Sequence, residues 1–152
     1  MPEVSIHTQL RNQRPSNFHN RISMPITHSI GRRKTSTATL RLYKKNGVNQ
    51  INEKPVDQLY VHDTDQKVLE IPFKATDLDF KSYSFTAKVV GGGKYSQLEA
   101  VQHAISRAIA KMFPEKKKQL KLAKLITRDP RMVERKKPGL RKARRAEQYS
   151  KR

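Results

Sequence analysis

The side chains of this sequence best suited to chemistry are cations, and the chemistry they suit is the holding of phosphates. Beyond Thr127 stand Arg128, Arg131, Arg135, Lys136, Lys137, Arg141, Lys142, Arg144, Arg145, Lys151 and Arg152, against only Asp129, Glu134 and Glu147. Arginine grips a phosphate as a two-pronged planar fork and lysine as a compact point charge. The apolar residues of the same stretch, Met132, Val133, Leu140 and Tyr149, are few and scattered. They cannot offset the roughly 1–2 kcal/mol per residue lost in ordering a backbone, so residues 127–152 are expected to form an extended basic arm that orders on a polyanion. Asp129-Pro130 and Lys137-Pro138-Gly139 are turn signals, and the composition of Leu140–Glu147 favours about two helical turns between them and the terminus.

Two shorter motifs are expected to share this work. Arg32-Arg33-Lys34 starts a β-like run in a region with no acidic residue from Arg11 to Gln50, which favours phosphate contact over the ordinary fate of a short charge run, a solvated strand start. Gly91-Gly92-Gly93 lies between a strand pattern and a helix start, where backbone N–H groups favour an anion. A tight turn that needs glycine for backbone approach is the competing explanation, of about equal weight. The run is no nucleotide-triphosphate loop, because Tyr95 follows Lys94 where serine or threonine is required.

Catalytic constellations are not apparent. There is no cysteine, hence no disulfide, thiolate nucleophile or sulfur-ligated zinc. His62-Asp63-Thr64-Asp65 is read as a solvated polar turn. His7, His19, His28 and His103 lack metal-ligand spacing, and there is no Gly-x-Ser-x-Gly elbow. Neither an enzyme nor a cofactor is expected.

The elements that must position these groups fit one domain. The chain has 152 residues and a formal net charge of +20, far beyond what solubility requires. No apolar run approaches the roughly 18 residues of a membrane span, so nucleic acid, and no membrane, is the expected polyanion. Residues 1–30, with Arg11, Arg14 and Arg21 against Glu3 alone, read as a flexible basic extension; they resemble a transit peptide in composition but lack its regular amphipathic face, and are expected to be retained. Residues 31–126 are the expected globular domain. Thr35–Tyr43 alternates as a strand, Lys45-Asn46-Gly47 predicts a hairpin that pairs Val48–Ile51 back onto it, and Pro55–Tyr60 predicts a short helix. Lys67–Phe73 reads equally as extended or helical, and Ser82–Val90 as a strand. Ser96 and Glu99 have capping-box spacing, before a helix that buries Leu98, Val101, Ile105, Ala108, Ile109 and Met112. A lysine-rich helix over Glu115–Ile126 should close the domain.

These motifs carry a resemblance. Gly31-Arg32-Arg33-Lys34-Thr35-Ser36-Thr37-Ala38, the triple glycine, and Thr127-Arg128-Asp129-Pro130-Arg131-Met132-Val133-Glu134-Arg135-Lys136-Lys137-Pro138-Gly139-Leu140-Arg141-Lys142-Ala143-Arg144-Arg145, closed by Gln148-Tyr149-Ser150-Lys151-Arg152, resemble the family of the ninth protein of the ribosomal small subunit, over residues 31–152. The resemblance implies an α/β (α+β) fold: a four-stranded sheet packed with helices, like the second domain of ribosomal protein five, with an extended basic C-terminal tail. It implies binding to small-subunit ribosomal RNA in the head of the particle, beside neighbouring head proteins, with Lys151 and Arg152 at the positions that touch peptidyl-site tRNA. Ser96-Gln97-Leu98 and Ala104 depart from the family's usual glycine-containing pattern, and Tyr149 stands where phenylalanine is common. With the long N-terminal extension, these departures favour a mitochondrial translation system over a bacterial or plastid one. The alternative that composition alone supports is a nucleic-acid-binding module that works outside the ribosome without a fixed site.

Overall fold

The structure is a computed structural model and describes residues 26–150. The readings made for residues 1–25, and for Lys151 and Arg152, lie outside the described residues. In chain order the elements are β1 (Ile26–Arg33), β2 (Ser36–Tyr43), β3 (Gln50–Ile51), β4 (Lys54–Pro55), α1 (Val56–Leu59), α2 (Asp63–Lys74), β5 (Ser84–Val90), α3 (Lys94–Met112) and α4 (Lys117–Leu122). The strands form one sheet in the order β1-β2-β5-β3-β4, in which β3 and β5 are parallel and the other pairs antiparallel.

The sheet thus has five strands where four were expected, and β1 starts inside the stretch read as N-terminal extension. The reason lies in an inverted pattern. The face of β1 that meets α3 carries Ser29 and Gly31, while Ile26 and Ile30 are 47% and 44% exposed on the other face. Small residues are needed there because helix and strand nearly touch: a Cβ on Gly31 would collide with the Ala100 carbonyl and the Ala104 nitrogen, and Ser29 Oγ donates to the Ala104 carbonyl at 2.7 Å.

The alternation of β2 is the expected one, with Ala38, Leu40 and Leu42 fully buried. They join Phe85, Ala87 and Val89 of β5, and Leu98, Val101, Ile105 and Ile109 of α3, in a single cluster that Leu69 and Phe73 of α2 complete. Full burial of each large aliphatic side chain contributes about 1.5–3 kcal/mol, so this face holds α3 in place.

The hairpin expected at Lys45-Asn46-Gly47 does not form. The free edge of β2 is taken by β5, from Thr37↔Val90 to Tyr43↔Ser84, and β3 instead joins the far side of β5. Two asparagine side chains extend this two-residue strand. Asn49 Oδ1 accepts from the Phe85 N–H at 3.1 Å, and Asn52 exchanges both of its amide bonds with Val89, at 2.8 and 3.0 Å. A sequence pattern does not reveal such mimicry of a backbone ladder.

Three helical expectations also shift. Lys67–Phe73 is helical within α2, despite Pro72. The N-cap of α3 is Gly93, and Ser96 at the third helical position bonds back to it, so the capping pair is not Ser96 with Glu99. α4 stops at Leu122: Lys124 turns left-handed at φ 57°, and the Leu125 N–H returns to the Leu120 carbonyl at 3.0 Å, a Schellman closure.

α3 also closes the outer edge of the sheet. Lys111 Nζ donates to the His28 carbonyl and Arg107 Nη1 to the Ile30 carbonyl, both at 2.7 Å, and the Arg32 N–H donates to His103 Nδ1 at 3.2 Å. The helical residues are four apart and the strand residues two apart. Four helical residues rise about 6 Å and two strand residues about 6.8 Å, so the two rows stay in step over three contacts.

Candidate nucleic-acid interface

The structure gathers motifs that are remote in sequence at one end of the sheet. Lys34 and Thr35 make the β1–β2 turn, with Lys34 at φ 49°, and the glycine run at the end of β5 lies directly against them. Gly91 has φ 77°, and a Cβ there would stand 2.7 Å from the Thr35 carbonyl; a Cβ on Gly92, at φ 69°, would strike the Ser36 and Ser96 hydroxyls. These two glycines are therefore explained by packing, whereas space around Gly93 is open. Ser36 Oγ lies 3.0 Å from the Gly91 carbonyl and 2.9 Å from Ser96 Oγ, and the Gly93 N–H donates to Ser96 Oγ at 3.0 Å. The hydroxyl pair ties the β1–β2 turn to the start of α3. Lys94, next in the chain, is drawn sideways: its Nζ is 3.2 Å from Asp65 Oδ2 and 5.3 Å from the centre of the Tyr60 ring. Burial first, and the Asp65 charge second, push the Tyr60 hydroxyl pKa up.

The three cations of the strand motif take different roles. Arg32 points to the open side of the sheet and is exposed; Lys34 is exposed on the turn. Arg33 faces α3, with its side chain only 13% exposed. Its Nε is 2.7 Å from Glu99 Oε2, its Nη2 3.2 Å from Asp129 Oδ2, and its Nη1 donates to the Arg131 carbonyl at 3.0 Å. Beside it, His103 Nε2 lies 2.9 Å from the Ile126 carbonyl while its Nδ1 accepts from Arg32. With one ring nitrogen on each side, His103 bridges β1 to the root of the arm. Arg128 Nη2 adds a 3.4 Å contact to the Lys34 carbonyl.

Beyond this root the chain carries no described helix or strand up to residue 150, apart from an isolated Leu140–Ala146 bridge. The helical turns expected over Leu140–Glu147 are replaced by a loop, with Gly139 at φ 76° and the Arg141 N–H donating to the Arg145 carbonyl at 2.8 Å. Two turns are too short to nucleate alone, and no apolar stripe docks them. Arg128, Arg131, Arg135, Lys136, Lys137, Arg141, Lys142, Arg144 and Arg145 are all exposed. Some are partnered within the arm: Arg131 forks onto Asp129 at 2.7–2.9 Å, and Glu134 takes Lys137 at 3.0 Å and Arg144 at 2.8 Å. Hydrogen bonds from the Arg131 side chain and backbone, with the Arg131 and Arg33 charges, hold the Asp129 carboxyl well below the usual range.

The family model described as ribosomal protein S9/S16 matches residues 31–152, from the glycine before Arg32 through the whole arm. The chain belongs to the ribosomal protein S9/S16 family. An S9/S16 protein is a structural constituent of the small ribosomal subunit, associated with ribosomal RNA and other ribosomal proteins. This places the chain in a family of ribosomal components, generally without enzymatic activity.

Sequence reasoning missed Glu99 and His103, which dock the arm of this S9/S16 protein, and Arg107 and Lys111, which serve the sheet edge. One signal was available. Glu99, His103, Arg107 and Lys111 recur every fourth residue along α3, a polar stripe beside the apolar one, which is the mark of a helix flank with a dedicated partner.

Proposed function

We propose that this S9/S16-family protein binds small-subunit ribosomal RNA in the head of the particle, through Arg32, Lys34, the Gly91–Gly93 turn and the cations of the arm, and that Lys151 and Arg152 reach tRNA in the peptidyl site. The observation that supports this most is the docking of the arm root by Arg33 beside the β1–β2 turn. The arm thereby leaves from the end of the sheet that carries the other two motifs, the basic turn and the glycine run, and all three can follow one RNA backbone. Phosphate contacts of this kind position a protein without reading bases, which suits both a fixed structural RNA and a tRNA site that must accept every elongator. Ser96-Gln97-Leu98, Ala104 and the thirty residues before the family match favour a mitochondrial particle.

Sedimentation of cell extract, with the protein followed through a salt series, tests the proposal. A protein held by many RNA contacts and by its neighbours stays with small subunits through moderate salt. A free nucleic-acid binder loses affinity steeply, because each phosphate contact releases counterions, and its release from the particles at low salt would refute the ribosomal placement. Identifying the RNA in the same fractions as mitochondrial, bacterial or plastid settles the compartment.

A further inference from the structure

Apart from Arg32 at its basic end, one broad surface of the domain is left without a role: the face of the sheet turned away from α3. Strand register arranges its side chains in rows. His28, Arg41, Thr86 and Gln50 form one row across β1, β2, β5 and β3, and Ile30, Thr39 and Lys88 form the next. Thr39, Arg41 and Lys88 are exposed, as are Ile30 at 44% and Val90 at 64%. A groove of about 670 Å³ runs between the strands, lined by Thr39, Arg41, Gln50, Thr86, Lys88 and, at its β3 end, Glu53.

Charge and chemistry select the occupant. Among the described residues Glu53 is the one carboxylate lining the groove, and most of the remaining domain carboxylates are borne by α1, α2 and the turn after α2, at Asp57, Asp63, Asp65, Glu70, Asp77 and Asp79. Arg41 and Lys88 are diagonal neighbours on adjacent strands, a geometry that sets the two residues about 7–8 Å apart, with their Cβ atoms somewhat closer. Between them stand the Thr39 and Thr86 hydroxyls, each a donor and an acceptor. No aromatic ring lies among the groove residues. Sheets that bind unpaired bases use such rings as stacking platforms, whereas cations interleaved with hydroxyls suit phosphates and 2′-hydroxyls. A protein partner would need carboxylates to match Arg41 and Lys88, and the exposed apolar side chains of this face, Ile26, Ile30 and Val90, lie outside the groove.

We propose that this open sheet face is a second RNA interface, which takes the sugar–phosphate backbone of a segment other than the one held by the basic end and the arm. Arg41 and Lys88 hold phosphates; Thr39 and Thr86 bond 2′-hydroxyls or phosphate oxygens. The inference rests on the ribosomal reading, in that the RNA is that of the small subunit.

The absence of cysteine makes the test clean. Full-length Thr39→Cys and Lys142→Cys proteins, each loaded with an iron–EDTA probe and assembled into small subunits, report the RNA near the sheet and near the arm respectively. Cleavage from Thr39→Cys is expected at nucleotides distinct from those cut from Lys142→Cys. Cleavage from Lys142→Cys alone overturns the sheet-face interface while leaving the ribosomal reading intact, and the same holds if a photoreactive probe at Thr39→Cys labels a neighbouring protein in place of RNA. Absence of cleavage from both positions removes the ribosomal reading and this inference together. Independently, the Arg41→Ala/Lys88→Ala protein should leave the particles at lower salt, with the log-affinity versus log-salt slope reduced by about 0.7–0.9 for each lost phosphate contact. An unchanged slope in a protein with unaltered melting overturns the interface.

Discussion

Arg33 closes on Asp129 at 3.2 Å, and with this contact the root of the arm is fixed against the sheet. Glu99 holds Nε of the same guanidinium at 2.7 Å, so one planar group joins β1, α3 and the arm. Arg33, expected from its sequence neighbours to be an RNA ligand, makes three contacts within the protein that aim the cations that follow it.

Replacing Arg33 by alanine should therefore free the arm root and change the domain little. Trypsin should cut the isolated protein at Arg128 and Arg131 several-fold faster than in the native chain, while domain stability falls by about 1 kcal/mol or less, since the ion pairs are partly solvated. Arg33→Lys should rescue only partly, because an ammonium cannot present the planar fork that meets Glu99, Asp129 and the Arg131 carbonyl together. Equal cleavage rates in all three proteins would contradict the docking role.

The Asp129 clasp should fail in acid. Its carboxyl pKa is lowered by the Arg131 hydrogen bonds and by the Arg131 and Arg33 charges, so the contribution is fully present above the unfolded value of about 4 and fades as pH falls below it. The Arg131 N–H donates to Asp129 Oδ1 at 2.9 Å, and its amide resonance reports the protonation directly. A midpoint in or above the ordinary aspartate range would rule out the clasp in solution.

Gly31→Ala should destabilise severely, although the residue added is a single methyl group. The carbonyl of Ala100 and the backbone of Ala104 occupy the place a Cβ would take, and neither can move without shifting α3 off the sheet. The loss expected in urea unfolding is at or above the upper end of about 1–3 kcal/mol for overpacking. Gly93→Ala, with open space around it, is the contrasting control and should cost only about 1 kcal/mol, the loss of a glycine at the N-cap of α3.

Truncation after Ser150 tests the tip. Assembly should be nearly normal, because the cations of residues 128–145 remain, while tRNA held at the peptidyl site by purified subunits weakens and its salt slope falls by roughly 0.7–0.9 per lost phosphate contact. Filter binding across a salt series decides it: equal affinity and slope would end the proposed tRNA role of Lys151 and Arg152.

What the sequence disclosed divides along physical lines. Leu40, Leu42, Phe85 and the stripe of α3 announced themselves because burial writes a period into the chain. Ser29 and Gly31 did not, since close backbone approach demands smallness in place of hydrophobicity. The arm was plain from charge alone, but its attachment was not: Glu99 and Asp129 find Arg33 only through the fold, and sequence spacing had assigned Glu99 to a cap. Asn49 and Asn52 act as ladder partners through their side chains, a role no local pattern encodes.

The row of His103, Arg107 and Lys111 along β1 has a consequence for the life of the protein before it meets RNA. An uncovered outer strand is a template onto which another chain can add and start an aggregate. Here the outward His28 and Ile30 carbonyls and the Arg32 N–H are already satisfied by one flank of α3, and the opposite border ends in Pro55, which has no N–H to offer. Both borders of the sheet thus offer another chain fewer free backbone groups, and they do so through the protein's own residues, before any partner is bound.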